Sequence, residues 1–178
     1  MKLLRRDPFL CALLVGILVP GLLLGTAVAM QHALGLVPCH MCLEQRTALK
    51  VAMGLAAVGI ALRRTAIGRT LAVASAGGIA ATASIAVEQL GGERHWWVLN
   101  TPCASALPKG GSALDDIMSM PFVRCDVPQW SYAGLTMADL NAIACVATTL
   151  SMLALVIVGE RRRRAESKIY RLQTAEEK

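Results

Sequence analysis

Four long stretches of the chain carry apolar residues with little interruption, and the polar residues collect in the intervals between them. Residues 9–30 contain no charged side chain. As a helix this stretch spans about 33 Å at ~1.5 Å per residue, enough to cross the hydrocarbon core of a bilayer. Gly21 and Gly25 form a GxxxG step within it, which predicts close approach of a neighbouring helix. The second stretch, 43–62, has Glu44, Arg46 and Lys50 in its opening turns. The third, 70–90, is rich in Ala, Gly and Ser and has Glu88 near its end. Small residues at that density predict a helix packed on both sides. The fourth, 137–158, has Asp139 and Asn141 in its first turn. The pattern predicts an all-α integral membrane protein, a four-transmembrane-helix bundle forming one domain over 1–165, followed by a tail over 166–178.

Composition agrees with this pattern. The chain is 55% hydrophobic and 17% charged, against roughly 25% charged residues in an ordinary soluble domain. The net charge of +6 would by itself admit a nucleic-acid partner, but the basic residues lie beside the apolar runs, which argues against one. Their placement sets the topology instead. Lys2, Arg5 and Arg6 precede the first run, Arg63, Arg64 and Arg69 separate the second and third, and Arg161 to Arg164, Lys168, Arg171 and Lys178 follow the fourth. That is 13 of 18 basic residues on one side, leaving Arg46, Lys50, Arg94, Lys109 and Arg124 for the other. Both termini and the tail are therefore expected in the cytoplasm, with segments 31–42 and 91–136 sharing the opposite compartment. A competing reading takes the basic start, the apolar stretch and Ala27-Val28-Ala29 as a cleaved signal peptide. The apolar stretch is longer than the usual ~7–15 residues.

The longer loop has its own pattern. Trp96, Trp97, Trp130 and Tyr132 flank it, as aromatic rings do at a headgroup boundary. Ser112 with Asp115 resembles a capping box. Leu114, Ile117 and Met118 follow at helical spacing, so a short amphipathic helix on the membrane surface is expected there.

Two of the six cysteines, Cys11 and Cys145, lie inside apolar runs and read as small buried hydrophobes. Cys39, Cys42, Cys103 and Cys125 all fall on the predicted non-cytoplasmic side, although that topology rests on Lys and Arg alone. In a bacterial periplasm disulfides persist. Cys39-His40-Met41-Cys42 is a CxxC motif at the start of the second helix, where the helix N-terminus favours a thiolate. Arg46 lies four residues beyond Cys42 on the same face and is placed to stabilise that thiolate or a reduced quinone oxygen. Cys103 and Cys125 stand 22 positions apart. A bridge between them is either a structural staple, worth about 3 kcal/mol on loop-entropy arithmetic, or a redox-active pair that exchanges with the CxxC. A four-thiolate zinc site would want a second close pair, which these two do not supply, and Leu43 after Cys42 disfavours haem attachment.

The stretch Pro38-Cys39-His40-Met41-Cys42-Leu43-Glu44-Gln45-Arg46 resembles the PCxxCxxxR signature of the disulfide bond formation protein B (DsbB) family. The stretch Arg124-Cys125-Asp126-Val127-Pro128-Gln129-Trp130-Ser131-Tyr132-Ala133-Gly134-Leu135-Thr136-Met137-Ala138 is similar to that family's segment before its last helix. The resemblance covers roughly residues 9–160 in the same order.

It implies a bacterial inner-membrane thiol:quinone oxidoreductase, monomeric, that reoxidises a DsbA-like thioredoxin-fold periplasmic protein and delivers the electrons to ubiquinone or menaquinone, held without a covalent bond at rest. Cys103 would then form the mixed disulfide with the partner. Cys125 would be its mate and bridge transiently to Cys39. Cys42 would be the thiolate beside the quinone, with Arg46 holding that quinone. Many members have a His near the outer end of the third helix; here that region reads Ser84-Ile85-Ala86-Val87-Glu88-Gln89. His95 and Glu88 are the candidates for that wall of the site. A paralogue serving one dedicated partner and a non-enzymatic scaffold with stapled loops remain open at this point. A vitamin K epoxide reductase-type enzyme usually places its CxxC late in the bundle, the reverse of the order here.

Overall fold

The computed structural model describes residues 7–99 and 123–176. Cys103 and the amphipathic helix expected around Ser112 to Met118 lie outside the described residues. Among the described residues run four helices, α1 (Pro8–Leu34), α2 (His40–Ala61), α3 (Ala66–Glu93) and α4 (Met137–Glu176), with a two-stranded hairpin, β1 (Ser131–Tyr132) with β2 (Leu135–Thr136), leading into α4.

Each helix start is built from a local signal. Asp7 caps α1, accepting a hydrogen bond from Leu10 N at 3.1 Å, with Pro8 in the first turn, where its missing N–H is no loss. The Cys39 sulfur caps α2, accepting from Cys42 N at 3.4 Å. Thr65 caps α3 through Gly68 N. Ahead of α4, Thr136 and Asp139 form a reciprocal capping box. Thr136 N donates to Asp139 Oδ2 at 2.9 Å and Asp139 N donates to Thr136 Oγ1 at 3.3 Å. The α1 helix stops at Gly35, which adopts a left-handed conformation (φ 65°). The hairpin registers Ser131 with Thr136 and Tyr132 with Leu135. Its two turn residues, Ala133 (φ 52°) and Gly134 (φ 79°), are both left-handed, as a two-residue type I′ turn requires.

The helices start and stop near the predicted limits, with one large difference. α4 continues through the basic segment to Glu176, so most of the predicted tail is helical. Arg, Ala, Glu and Lys propagate a helix well, and residues 160–175 contain neither Gly nor Pro. At 40 residues α4 measures about 60 Å, twice the ~30 Å hydrocarbon core. Three helices, α1, α3 and α4, are long and apolar enough to cross a membrane. α2 falls short because Glu44, Arg46 and Lys50 sit in it. Large apolar side chains point outward along the bundle, Leu22, Val58, Ile143 and Leu150 among them. Such a surface suits lipid better than water.

The core is narrow and made of small residues. Leu49 and Ala52 of α2 meet Ala76, Ile79 and Ala83 of α3 and Cys145 and Met152 of α4. Leu13, Ala56 and Ala72 form a second cluster towards the other end. α3 packs on both α2 and α4, as its small residues predicted, yet it keeps an outward stripe at Val73, Gly77, Ala81, Ser84 and Val87. The predicted close approach at the GxxxG step falls elsewhere. A Cβ at Gly25 would meet nothing within 4 Å, whereas one at Gly16 would lie 2.8 Å from Met152 Cε and one at Gly59 would lie 2.7 Å from Leu13 Cδ2. Gly25 lies on a face of α1 that the other helices leave uncovered, so its spacing alone carried no contact.

Candidate functional site

The connection 35–39, the segment 123–130 and the outer turns of α1, α2, α3 and α4 converge on the CxxC motif. Cys39 is buried (3% exposed) and its Sγ stands 3.0 Å from Cys42 Sγ, in the first turn of α2. Both cysteines are free thiols, close enough for a small movement to close a disulfide at ~2.05 Å. The hydrogen bond to Cys42 pushes the Cys39 thiol well above the ordinary cysteine range, and burial adds to the effect. Cys125 is equally buried (1% exposed) and shares a cluster with Cys39 and Met41, with Cys42, Ile85, Leu99 and Val123 packed against it. Three sulfurs, from the cap and first turn of α2 and from segment 123–130, thus meet in one apolar pocket, the arrangement that thiol–disulfide exchange needs.

Local contacts hold Cys125 there. Gln129 Nε2 donates to Val37 O at 2.7 Å, tying segment 123–130 to the connection that precedes Cys39. Arg124 Nε donates to Asp126 Oδ1 at 2.9 Å across the cysteine. That hydrogen bond holds the half-buried Asp126 carboxyl below the usual carboxylate range. Trp130 stacks on Tyr132 with ring centroids 6.4 Å apart. On the far side, Trp97 folds back on α3 and donates from Nε1 to Glu88 O at 3.1 Å. Its ring occupies the space beside Gly91 that a side chain there would need. Trp96 receives the Arg94 guanidinium 5.9 Å from its centroid, and Arg94 also pairs with the buried Asp139 at 3.0 Å.

Behind the thiols lies a cavity of about 410 Å³ reached by Cys39 and Cys42, with Leu23, Leu49 and Met137 among its apolar lining and Arg46 among its polar groups. That volume falls within the ~300–1,000 Å³ of small-molecule sites. Arg46 does line this cavity, but its guanidinium is committed to α1. It donates to Gln31 Oε1 at 2.8 Å and to Ala27 O at 3.3 Å. The cavity wall on the α3 side is built by Gln89 and Glu93, not by Glu88 or His95. Glu88 is exposed on the outward side of the helix, and His95 is exposed beyond its end with φ 56°. Neither lines the cavity.

Gln89 belongs to a buried chain of amides that the sequence analysis missed. Asn141 Nδ2 donates to Gln45 Oε1 at 2.6 Å, Gln45 Nε2 donates to Gln89 Oε1 at 3.0 Å, and Gln89 Nε2 donates to Glu93 Oε1 at 3.0 Å. The Cys42 thiol lies 3.9 Å from that same Gln89 oxygen, and the Cys145 thiol reaches Asn141 Oδ1 at 3.5 Å. The signal was present in the sequence, since Gln45, Gln89 and Asn141 are polar residues in the outer turns of otherwise apolar helices. Attention to the charged Glu88 passed over the amide next to it.

Known proteins place the chain in a family. The family model described as Disulfide bond formation protein DsbB matches residues 9–155. A protein named Disulfide bond formation protein B from Chromohalobacter salexigens is 32% identical over 133 residues, covering 74% of this chain and 70% of that protein. No solved structure matches.

Proposed function

Starting from the fact that the chain belongs to the DsbB family of disulfide bond formation proteins, we propose that it is a membrane thiol:quinone oxidoreductase that reoxidises a DsbA-like periplasmic dithiol oxidase. The observation that carries this reading is the position of Cys42. It joins a sulfur cluster on one side and a mostly apolar cavity edged by Arg46 and Gln89 on the other. A quinone ring with an isoprenoid tail fits such a lining, flat and apolar with two carbonyl oxygens that want donors. Arg46 and the amides of Gln45 and Gln89 would hold it. When bound, ubiquinone or menaquinone supplies a two-electron acceptor.

The protein's own residues divide the rest of the work. Cys103 takes the partner's thiolate attack and forms the mixed disulfide, with Cys125 as its mate. Cys125, already packed beside Cys39, passes oxidation between the loop pair and the CxxC. Cys42 faces the acceptor. The apolar pocket around the sulfurs excludes water from the exchange. α2 serves as the fourth crossing, its charges lying in the outer turns beside the cavity, and α1, α3 and α4 fix both termini in the cytoplasm of a bacterial inner membrane.

The test is Cys42→Ser in the full-length protein, assayed for reduction of a short-chain ubiquinone by a reduced thioredoxin-fold dithiol oxidase. Turnover should disappear while the partner is still trapped at Cys103. Undiminished turnover would sink the relay, and a parent protein unable to reduce quinone would leave only a stapled scaffold.

A further inference from the structure

The role of Glu93 is not explained by the relay of sulfurs. It is the last residue of α3, lines the same cavity as Cys39 and Cys42, and accepts from Gln89 Nε2 through Oε1 at 3.0 Å. Its Oε2 is buried and makes no hydrogen bond of good geometry among the described residues, the Thr136 hydroxyl being the donor nearby. A buried carboxylate oxygen without a donor is costly. A carboxyl group that carries a proton for part of a reaction cycle removes that cost for the same part.

The chemistry of the site calls for such a group. Forming one S–S bond from the Cys39/Cys42 dithiol releases two electrons and two protons, and converting a quinone to a quinol consumes two of each. The electrons pass through Cys42, and the two protons need a carrier across a mostly apolar cavity. We propose that Glu93 is that carrier. Twice in each turnover it gives its proton to a quinone oxygen in the cavity and recovers one from the thiol pair, so both protons are delivered and the carboxyl ends as it began. Gln89 acts as a positioning residue, holding Oε1 so that Oε2 is the oxygen free to exchange a proton. The charged and titratable neighbours are Arg94 beyond the end of α3 and Asp139 of α4, with Cys39 at the cap of α2, Cys42 and Arg46 within it and Arg124 of the loop on the same cavity. α1 contributes only uncharged side chains to it, Gln31 among them.

This inference rests on the oxidoreductase reading, and the experiment separates the two. The full-length protein in lipid nanodiscs is compared with Glu93→Gln and Glu93→Asp, using a short-chain ubiquinone and a reduced thioredoxin-fold dithiol oxidase. Glu93→Gln should slow quinone reduction by about 100-fold, the scale of a lost general acid, with partner trapping at Cys103 unchanged. Glu93→Asp should recover most of the rate. The parent's rate should fall as pH rises through the carboxyl's titration, and that limb should be missing in Glu93→Gln. The infrared difference spectrum between oxidised and reduced protein should contain a carboxyl band that Glu93→Gln removes. A Glu93→Gln protein with the parental rate and pH limb overturns the proposal, as does a carboxyl band that survives the substitution. Loss of partner trapping along with quinone reduction assigns Glu93 a structural role and also overturns it. A parent protein that reduces no quinone overturns the oxidoreductase reading and takes this inference with it.

Discussion

Gln45 donates to Gln89 across the α2–α3 interface at 3.0 Å, and the acceptor oxygen is the one that the Cys42 thiol faces at 3.9 Å. This pair joins the redox motif to the helix that forms the opposite wall of the cavity. Gln89→Ala would strip Gln45 Nε2 of its acceptor and Glu93 of its donor, leaving buried groups unpaired. The expected cost is about 1–3 kcal/mol of stability. Quinone reduction should fall by about tenfold, the equivalent of ~1.4 kcal/mol in barrier height. Gln89→His should keep most of the activity, because an imidazole also offers one donor and one acceptor. Thermal unfolding in detergent and quinone reduction check both, and a Gln89→Ala protein matching the parent in the two assays would show that the amide chain is incidental.

Arg46 is anchored to α1 through Gln31 and Ala27, so its effect combines charge with helix placement. Arg46→Ala should weaken quinone use more than it weakens mixed-disulfide formation at Cys103. Arg46→Lys keeps the charge but cannot reach two acceptors in the same planar fork. It should fall between parent and alanine. Gln31→Ala, which removes one bond to a charged group worth about 1.5–3 kcal/mol, should raise the KM for quinone in the same direction by a smaller factor. Equal loss at both steps in Arg46→Ala would remove its assignment to the quinone site.

The four helices were legible because each coincides with a long, mostly apolar run, and the CxxC was legible from its spacing. The capping box at Thr136 and Asp139 was also legible, as a Thr followed three positions later by an acid, although the same pattern drew attention at Ser112 instead. What the sequence could not supply was rotation. Glu88 and Gln89 are adjacent, and only the packing of α3 on α2 decides which one enters the cavity. Gly25 failed for the same reason, since a GxxxG step says nothing about which face of α1 is covered. Cys125 beside Cys39 depended on a loop contact, Gln129 to Val37, that joins positions 92 apart in the chain.

Cys11 and Cys145 are both buried and neither lines the cavity. Cys145 does touch the amide chain through Asn141, and burial makes its removal more noticeable. The Cys11→Ala/Cys145→Ala double variant should retain quinone reduction close to the parent's. Its stability should drop by about 1–2 kcal/mol, for two sulfur atoms lost from a packed interior and one weak hydrogen bond. Activity falling in step with Cys42→Ser would place one of these thiols on the electron path.

The Arg124–Asp126 pair brackets Cys125 and gives the loop a pH dependence with a definite sign. Because the hydrogen bond from Arg124 lowers the Asp126 pKa in the folded protein, the unfolded loop takes up a proton more readily. The pair's contribution is therefore fully present above the ordinary aspartate value and is lost as pH falls through Asp126's own lower value. The Arg124 side chain is exposed, so solvent screens the pair and its effect on global stability is small, but it acts on the segment that covers Cys125. In a protein with Trp96 and Trp97 replaced by Phe, the fluorescence of Trp130 should stay constant from neutral pH down to the aspartate range and change below it. Asp126→Asn should abolish that acid transition and should speed alkylation of Cys125 at neutral pH, because the loop loses its clamp. An unchanged acid transition in Asp126→Asn would assign it to another carboxylate and leave Cys125 held by Gln129 and by its own burial.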